Sequence, residues 1–269
     1  MKISLSNLGF QFRRFAFTLV ELLVVIALIA ILAGLLLTAL ARAKASALVI
    51  ACMNHERQMG IALNMYVGDN QAYPFWVRVN VNNPEAPSYH WEQALQIYYP
   101  LTWTSQAYHC PAYLGVIATT STSGGYSGSY AYNYHGADNI DDFEYSGIVL
   151  GLGFLNDYSG GDKLEYNPIS ESAVKTPSGM LAISDARIRT TGGFHSINEG
   201  EDYMTCSMGT ASLGTMISDL EQAPPQHGQN FNALFCDGHV EAIKVSDLFN
   251  PTNTAVYWNN DHQPHPELW

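Results

Sequence analysis

The sequence predicts an α+β protein in which one long N-terminal transmembrane helix packs on an antiparallel sheet with loop-rich insertions. Three observations support this class. Residues 22–41 are apolar and uncharged, helical spacing of apolar residues continues to Tyr66, and two short strand-like runs flank Asp237-Gly238 near the C-terminus. Because apolar residues make up 47% of the 269 residues, the composition excludes disorder of the whole chain.

The charge balance excludes one class of partner. Twelve Lys and Arg face 24 Asp and Glu, which gives a formal net charge of -12. A nucleic-acid groove needs clustered basic residues, so we expect no nucleic-acid partner. The sequence also lacks G-x-S-x-G, H-E-x-x-H and P-loop motifs, so we predict no enzymatic activity and name no catalytic residue.

The first predicted element is a membrane-spanning helix over residues 22–41. At about 1.5 Å per residue, a helix of this length crosses the bilayer core of about 30 Å. Basic residues on both sides slightly favour a cytoplasmic N-terminus. A cleaved signal peptide is one alternative, because residues 41–47 offer small-x-small sites, but its apolar region is usually about 7–15 residues. A plain anchor is another, with Glu21 as a tolerated interfacial acid.

The same helix is predicted to continue beyond the membrane. Residues 42–66 contain no Pro, and their apolar residues recur at steps of three and four. We expect one helix from about Phe17 to Tyr66, about 75 Å long, which ends at Gly68-Asp69-Asn70. Its second half would lay an apolar stripe on a sheet. The predicted stripe consists of Leu48, Cys52, Met59, Leu63 and Tyr66, with His55 on the same side of the helix.

The body that follows is predicted to contain short elements. Ser88 would cap a short helix over residues 89–99. Residues 130–134 alternate as a strand or sheet edge, and residues 180–184 form a buried strand. The small polar residues 119–129 indicate a loop or local disorder.

A terminal hairpin is the clearest local prediction in the body. Asp237-Gly238 is a preferred two-residue turn. That turn would pair Phe235 with Val240 and Ala233 with Ala242 on one face, and Cys236 with His239 and Asn232 with Ile243 on the other. The long helix is expected to pack against this hairpin.

The N-terminal residues resemble the start of type IV prepilins and type II secretion pseudopilins. RRFAFTLVELLVVIALIAILAGLLL has the basic residues, the small residue, the Phe-Thr-Leu-x-Glu sequence and the long apolar helix of that family. The resemblance implies that a prepilin peptidase cleaves the Ala16–Phe17 bond and N-methylates Phe17. The sequence has Ala16 where Gly is usual, and Thr38 where many pilins have Pro.

The resemblance gives Glu21 a role in assembly. Cleavage makes Glu21 the fifth residue of the mature chain, the position of the family's functional Glu. An unpaired charge among apolar helices is penalised heavily. The implied partner is the amine of Phe17 on a neighbouring subunit, and the pairing would set the axial register between subunits.

The resemblance also implies an organisation and a function. The predicted segments are a leader (residues 1–16), a transmembrane helix (17–41), the extracytoplasmic half of the same helix (42–66) and a globular pilin-like head (67–269). The chain would be a structural subunit of a type IV pilus or type II secretion pseudopilus. It would cross the bacterial inner membrane once, with its body in the periplasm or in an extracellular filament. Its partners would be the peptidase and methyltransferase, membrane lipid, and itself or other pilin-like subunits.

A second part of the resemblance lies near the C-terminus. His227, nine intervening residues and Asp237-Gly238 match an H-x9-D-G arrangement found in many large pilin-like proteins, to which we attach no role. A metal cluster of His227, Asp237 and His239 is one hypothesis. In the other, Asp237 sets the turn and His227 supports the start of the strand.

Other candidate ligands are weaker. An acidic stretch contains Asp138, Asp141, Asp142 and Glu144, and the resembling major pseudopilins bind calcium, but a solvated acidic loop is the alternative. His262 and His265 are either metal ligands or part of a frayed tail. We expect no other cofactor.

The four cysteines lack C-x-x-C spacing, which disfavours zinc. An extracytoplasmic body permits disulfides, and the predicted pairs are Cys52–Cys110 and Cys206–Cys236, with buried free thiols as the alternative.

Exposed aromatic residues suggest an alternative function, a membrane-anchored extracytoplasmic binding protein with an aromatic glycan-binding head. Sugars stack on exposed rings, and the candidates are Trp76, Trp91, Trp103 and Tyr126. The competing interpretation places these rings in the core.

Overall fold

The computed structural model describes a chain that divides into two compact units, residues 1–46 and 47–269. The described residues are 18–75, 77–78, 89–113, 115, 117, 128–133, 136, 150–153, 168–186, 203–204, 227–248 and 250–266. A long apolar helix precedes a sheet with four antiparallel strands, which is the predicted α+β layout and is consistent with a pilin-like fold. In chain order the helices and strands are α1 (Leu19–Asn70), β1 (Val77–Arg78), β2 (Tyr89–His90), α2 (Trp91–Leu95), β3 (Tyr130–Asn133), β4 (Leu181–Asp185), β5 (Tyr203–Met204), β6 (Asn230–Phe235), β7 (Val240–Lys244), α3 (Val245–Leu248) and α4 (Pro251–Trp258).

Helix α1 is continuous for 52 residues and passes through Thr38 without a break. It ends at Asn70, four residues after the predicted Tyr66, and the Asn70 side chain donates a 2.8 Å hydrogen bond to the Tyr66 carbonyl. Gln71 then turns the chain with a φ of 56°. The predicted turn residues Gly68-Asp69-Asn70 are therefore the last residues of the helix.

The second half of α1 buries one stripe. Cys52, Met59 and Leu63 are fully buried, as predicted, while Leu48 and Tyr66 are half-buried. Glu56 lies on the same stripe and is also fully buried, a placement that its charge did not predict. The complete buried set is Cys52, Glu56, Met59, Gly60, Ala62, Leu63 and Val67.

The main sheet has the strand order β5-β3-β4-β6-β7. The pairs β3–β4, β4–β6 and β6–β7 are antiparallel, whereas the short edge strand β5 pairs parallel to β3. The predicted strands at 130–134 and 180–184 are β3 and β4, each within a residue or two of its predicted ends. Both are completely buried, so β3 is an inner strand rather than an edge.

The predicted hairpin forms, but its register is shifted by one residue. Leu234 pairs with Val240, Ala233 with Glu241, Asn232 with Ala242 and Phe231 with Ile243. The loop has three residues instead of two, with Gly238 at a φ of 93°, the usual geometry of a turn followed by a left-handed residue. Phe235 therefore stacks on His239 at 4.3 Å between ring centroids, and Cys236 moves into the loop.

The helix predicted over residues 89–99 is shorter than expected. Residues 89–90 are strand β2, and α2 covers only Trp91–Leu95. His90 takes the N-cap position that was predicted for Ser88, and its backbone N–H donates to Gln93 Oε1 at 2.9 Å. Ser88 itself and the predicted polar loop at 119–127 lie outside the described residues.

The two faces of the sheet are covered by different helices. One face packs against α1, since Met59 and Leu63 share a hydrophobic cluster with Ile183 and Leu234. The other face packs against α3 and α4, which the sequence analysis did not predict. The second cluster joins Phe231, Ala233 and Phe235 to Leu248, Ala255 and Trp258.

Gly60 sets how closely α1 approaches the hairpin. A Cβ at this position would lie 2.7 Å from Leu234 Cδ1 and 3.3 Å from the backbone Cα of Gly238. The expected packing of the long helix on the terminal hairpin is thus confirmed, and it depends on a residue without a side chain.

We predict that Gly60→Ala destabilises the body by about 1–3 kcal/mol, because an added methyl overpacks this contact. Thermal unfolding of the detergent-solubilised full chain, followed by tryptophan fluorescence, measures the effect. The matched control is Gly68→Ala on the same helix, where a Cβ meets nothing within 4 Å and helix propensity improves. Equal melting temperatures for the two variants would contradict the proposed close contact.

Candidate functional site

The N-terminal half of α1 presents apolar side chains on all sides. From Leu19 to Leu40 the large aliphatic side chains are 45–77% exposed. This is the one helix among the described residues that is long and apolar enough to cross a membrane. A helix that is apolar all round requires lipid or other helices as its surroundings.

Glu21 begins this helix as part of a capping box with Thr18. Glu21 Oε2 accepts hydrogen bonds from Thr18 N at 2.8 Å and from Thr18 Oγ1 at 2.7 Å. In return, Glu21 N donates to Thr18 Oγ1 at 3.2 Å. This reciprocal pair satisfies backbone donors that an uncapped helix leaves open. Thr-Leu-Val-Glu is the sequence signature of the motif, so this role could have been found from the sequence.

The predicted processing residues Ala16 and Phe17 lie outside the described part of the chain. Helix α1 starts at Leu19, two residues after Phe17, which is the first residue beyond the predicted cleavage bond. The capping box therefore defines a helix start close to the position where a mature chain would begin.

A second group of polar and sulfur-containing side chains is buried in the body. We call the five residues Cys52, Glu56, Cys110, Asp185 and His227 the His227 cluster. His227 Nε2 lies 3.3 Å from Cys110 Sγ and 3.6 Å from Asp185 Oδ2. The side chains of His227 and Asp185 are 1% and 0% exposed. The cluster thus combines sulfur, imidazole and carboxylate groups away from solvent.

Four chain segments position this cluster. Helix α1 supplies Cys52 and, one turn later, Glu56, while Asp185 is the last residue of β4. Cys110 comes from the segment between α2 and β3, and its disulfide with Cys52 is the first of the two predicted pairs. His227 forms an isolated bridge with Asn230 just before β6. Pairing of β4 with β6 brings Asp185 and His227 together.

The two carboxylates of the cluster have different environments. Burial raises the pKa of Glu56 well above its usual value, and the nearby charge of Asp185 raises it further. Burial also raises the pKa of Asp185, but the hydrogen bond and charge of His227 and the N–H of Asn232 lower it. Both Glu56 oxygens lack a hydrogen-bond partner among the described residues. The pKa of both carboxyl groups is thus raised, and burial is the largest cause for each.

Asp237 and Gly238 serve the loop at the other end of β6. Asp237 Oδ1 accepts from His239 N at 3.1 Å and lies 2.5 Å from His239 Nδ1. His227 precedes the six-residue strand and Asp237 follows it, so the two are on the order of 20 Å apart. The hypothesis of one metal bound by His227, Asp237 and His239 is wrong, and the geometry agrees with the structural alternative.

The second predicted disulfide does not form. Cys236 is a buried free cysteine, and burial raises the pKa of its thiol. The register shift places it in the hairpin loop beside the core instead of on the outer face of a strand. Cys206, its predicted partner, lies outside the described residues.

Two of the four aromatic candidates for glycan binding lie in the described part of the chain, and both are buried. Trp91 is fully buried and stacks on Tyr132 at 5.4 Å, and Trp103 is only 4% exposed, so these two rings belong to the core. Trp76 and Tyr126 lie outside the described residues, and the described residues offer no observation in favour of a glycan surface.

Among the described residues, His262 and His265 belong to no cluster of three possible metal ligands. His265 Nε2 lies 2.7 Å from Asp261 Oδ2, whereas the ring of His262 lies 6.4 Å from that of Tyr257. The predicted calcium patch falls outside the described part of the chain, and consists of Asp138, Asp141, Asp142 and Glu144.

Comparison with known proteins identifies the N-terminal segment. Residues 12–37 match the family of the prokaryotic N-terminal methylation motif, which includes the predicted cleavage bond and Glu21. No curated protein and no solved structure matches the chain. The motif supports a prepilin-type protein, the precursor of a type IV pilin or pseudopilin, with a helix consistent with a single-pass inner-membrane anchor.

The raised pKa of Glu56 gives a testable pH dependence. Because the folded state holds this proton more tightly than the unfolded chain, the contribution of Glu56 to stability falls as pH rises above about 4.5, by up to about 1.4 kcal/mol per pH unit. Glu56→Gln mimics the protonated acid, so its stability relative to the unmodified chain should increase with pH. Chemical unfolding of the full chain in detergent at pH 5 and pH 8 measures this difference. Glu171→Gln, at an exposed position, is the control. A difference between Glu56→Gln and the unmodified chain that does not change with pH would refute the assignment.

Proposed function

We propose that this chain is a structural subunit of a type IV pilus or type II secretion pseudopilus. In this proposal it is inserted as a prepilin, cleaved between Ala16 and Phe17, and N-methylated at Phe17. The observation that carries the proposal is the coincidence of the methylation motif at residues 12–37 with an apolar helix exposed on all sides. We assign it no enzymatic activity.

The exposed helix supports a role in assembly. Burial of aliphatic surface lowers the free energy by about 25 cal/mol for each Å² removed from water. Lipid can cover this surface in the prepilin, and the helices of other subunits can cover it in a filament. Since packing replaces lipid contacts with protein contacts, the apolar surface gives little register by itself. A polar pairing is needed to fix the axial position of each subunit.

Glu21 is the residue proposed to supply that pairing. Among the described residues, its side-chain hydrogen bonds come from Thr18 alone, and Thr18 carries no charge. The negative charge therefore still requires a cation when the helix enters a bundle. Cleavage would create such a cation, the amine of Phe17, next to the cap. We propose that this amine on one subunit pairs with Glu21 on its neighbour.

The disulfide supports the proposed location of the body. Cys52–Cys110 joins α1 to the segment before β3, beyond the apolar half of the helix. Disulfides persist in oxidising compartments such as the periplasm and are rare in the cytosol. This favours a cytoplasmic N-terminus with the body in the periplasm or in an extracellular filament.

N-terminal mass spectrometry of the chain extracted from membranes tests the processing step. We expect a start at N-methylated Phe17, because the motif places the peptidase site there. The Ala16→Gly variant should be cleaved at least as completely, since Gly is the usual residue. An intact Met1 terminus in cells that contain the peptidase, or a start within residues 46–48, would refute the proposal.

Two substitutions at Glu21 separate capping from charge pairing. Gln is accepted in a capping box, so Glu21→Gln should insert and be cleaved normally yet lose most filament assembly, because only the charge is removed. Glu21→Ala removes both the charge and the cap. Electron microscopy and sedimentation of sheared surface material measure assembly. If Glu21→Gln assembles normally and only Glu21→Ala fails, the role of Glu21 is helix capping and the charge-pairing mechanism is wrong.

A further inference from the structure

The Cys52–Cys110 disulfide lies against a histidine that the proposed assembly function does not use. Cys52 Sγ, Cys110 Sγ and a ring nitrogen of His227 all lie within 4.8 Å of one another. Both cysteines are fully buried. A disulfide needs no imidazole beside it, so this arrangement calls for another account.

We propose that Cys52, Cys110 and His227 bind a zinc-class divalent metal ion when the two cysteines are thiols. The structure as described is then the oxidised form of a site with two states. The oxidised state holds the disulfide, and the reduced state holds the metal. The site lies in the unit that contains residues 47–269 and does not depend on the assembly role of Glu21.

The spacing of the ligand atoms supports this site. Zinc forms bonds of about 2.3 Å to sulfur and about 2.0–2.1 Å to histidine nitrogen, so two ligand atoms of a tetrahedral site lie about 3.6 Å apart. His227 Nε2 is already 3.3 Å from Cys110 Sγ. Once the S–S bond is broken, side-chain rotations alone can separate the two sulfur atoms to that spacing. Two thiolates and an imidazole are a ligand set that zinc prefers over magnesium or calcium.

The charges around the three ligands also favour a cation. Asp185 Oδ2 lies 3.6 Å from His227 Nε2, the nitrogen that would bind the metal, which makes it the candidate for the fourth ligand. Glu56 follows Cys52 by one helical turn, and neither of its oxygens has a hydrogen-bond partner among the described residues. Two buried thiolates beside Asp185 would repel one another without a positive ion. A dication offsets that repulsion, whereas the disulfide avoids it by removing the thiolate charges.

Reduction of the disulfide precedes metal binding. An external dithiol transfers two electrons and two protons to the S–S bond, leaves Cys52 and Cys110 as thiols, and becomes a disulfide itself. A divalent ion then binds both sulfur atoms and releases the two thiol protons to solvent. His227 binds through Nε2, so its ring proton resides on Nδ1 in the metal form.

Cobalt is the probe that tests the site, because tetrahedral Co²⁺ bound to thiolate absorbs visibly and in the near ultraviolet. The full-length chain in detergent is reduced with a dithiol in mild denaturant, returned to buffer without oxygen, and titrated with Co²⁺. We expect one equivalent of Co²⁺ with thiolate charge-transfer bands, displaced by Zn²⁺. The chain with its disulfide intact should show no such bands.

Variants identify the ligands. His227→Ala should weaken Co²⁺ binding by at least about tenfold, since changes even to outer-shell partners cost about 10–100-fold. Removal of both thiolates, in Cys52→Ser with Cys110→Ser, should abolish the charge-transfer bands. Cys236→Ala is the matched control, a buried cysteine outside the cluster that should bind as the unmodified chain does. Loss of the bands in Cys236→Ala, or their retention in the double variant, overturns the assignment.

Near-ultraviolet circular dichroism covers the case in which reduction unfolds the body. If the reduced chain loses its signal, Zn²⁺ should restore it in the unmodified chain but not in His227→Ala, because metal binding and folding are coupled. A reduced chain that stays folded without binding Co²⁺ overturns the proposal. So does an unfolded reduced chain that Zn²⁺ does not rescue.

Discussion

One 52-residue helix must satisfy two different environments, and the rest of this protein depends on that constraint. From Leu19 to Leu40 the helix is apolar on all sides and exposed, so it needs lipid or other helices around it. From Cys52 to Val67 it buries a single stripe against a sheet of the same chain. The helix passes from the first environment to the second as one continuous element without a proline. Gly60 is the point of closest approach to the hairpin, where even a methyl group would meet Leu234 and Gly238.

The structure also gives the H-x9-D-G arrangement a physical meaning. Its two ends lie at the two ends of strand β6, so their spacing follows from the length of that strand. Asp237 and Gly238 shape the loop that contacts α1 through Gly60. His227 instead joins the strand start to the disulfide and to Asp185. One strand therefore connects the packing of the helix to the buried polar cluster, and the two halves of the motif serve different purposes.

The hairpin shows where reasoning from local sequence reaches its limit. Asp237-Gly238 correctly indicated a turn, but a two-residue and a three-residue loop are both compatible with it. Side chains alternate between the two faces of a strand. A shift of one residue therefore pairs each residue of β7 with a β6 residue from the face opposite to the predicted one. Packing decided the outcome, since the observed register places Leu234 and Val240 in the cluster shared with α1 and frees Phe235 to stack on His239. The same shift moved Cys236 into the loop, where it is a free thiol.

The sequence alone determined the long helix, its apolar first half, most of its buried stripe, strands β3 and β4, and the presence of a terminal hairpin. These features are local, because apolar periodicity and turn residues act over a few positions along the chain. The capping box of Thr18 and Glu21 is also local, because its sequence signature covers only four consecutive residues. Tertiary structure alone decided the burial of Glu56, the parallel edge strand β5, the hairpin register and the meeting of Cys110, Asp185 and His227. Those outcomes depend on contacts between segments far apart in sequence, whose energies no local pattern contains.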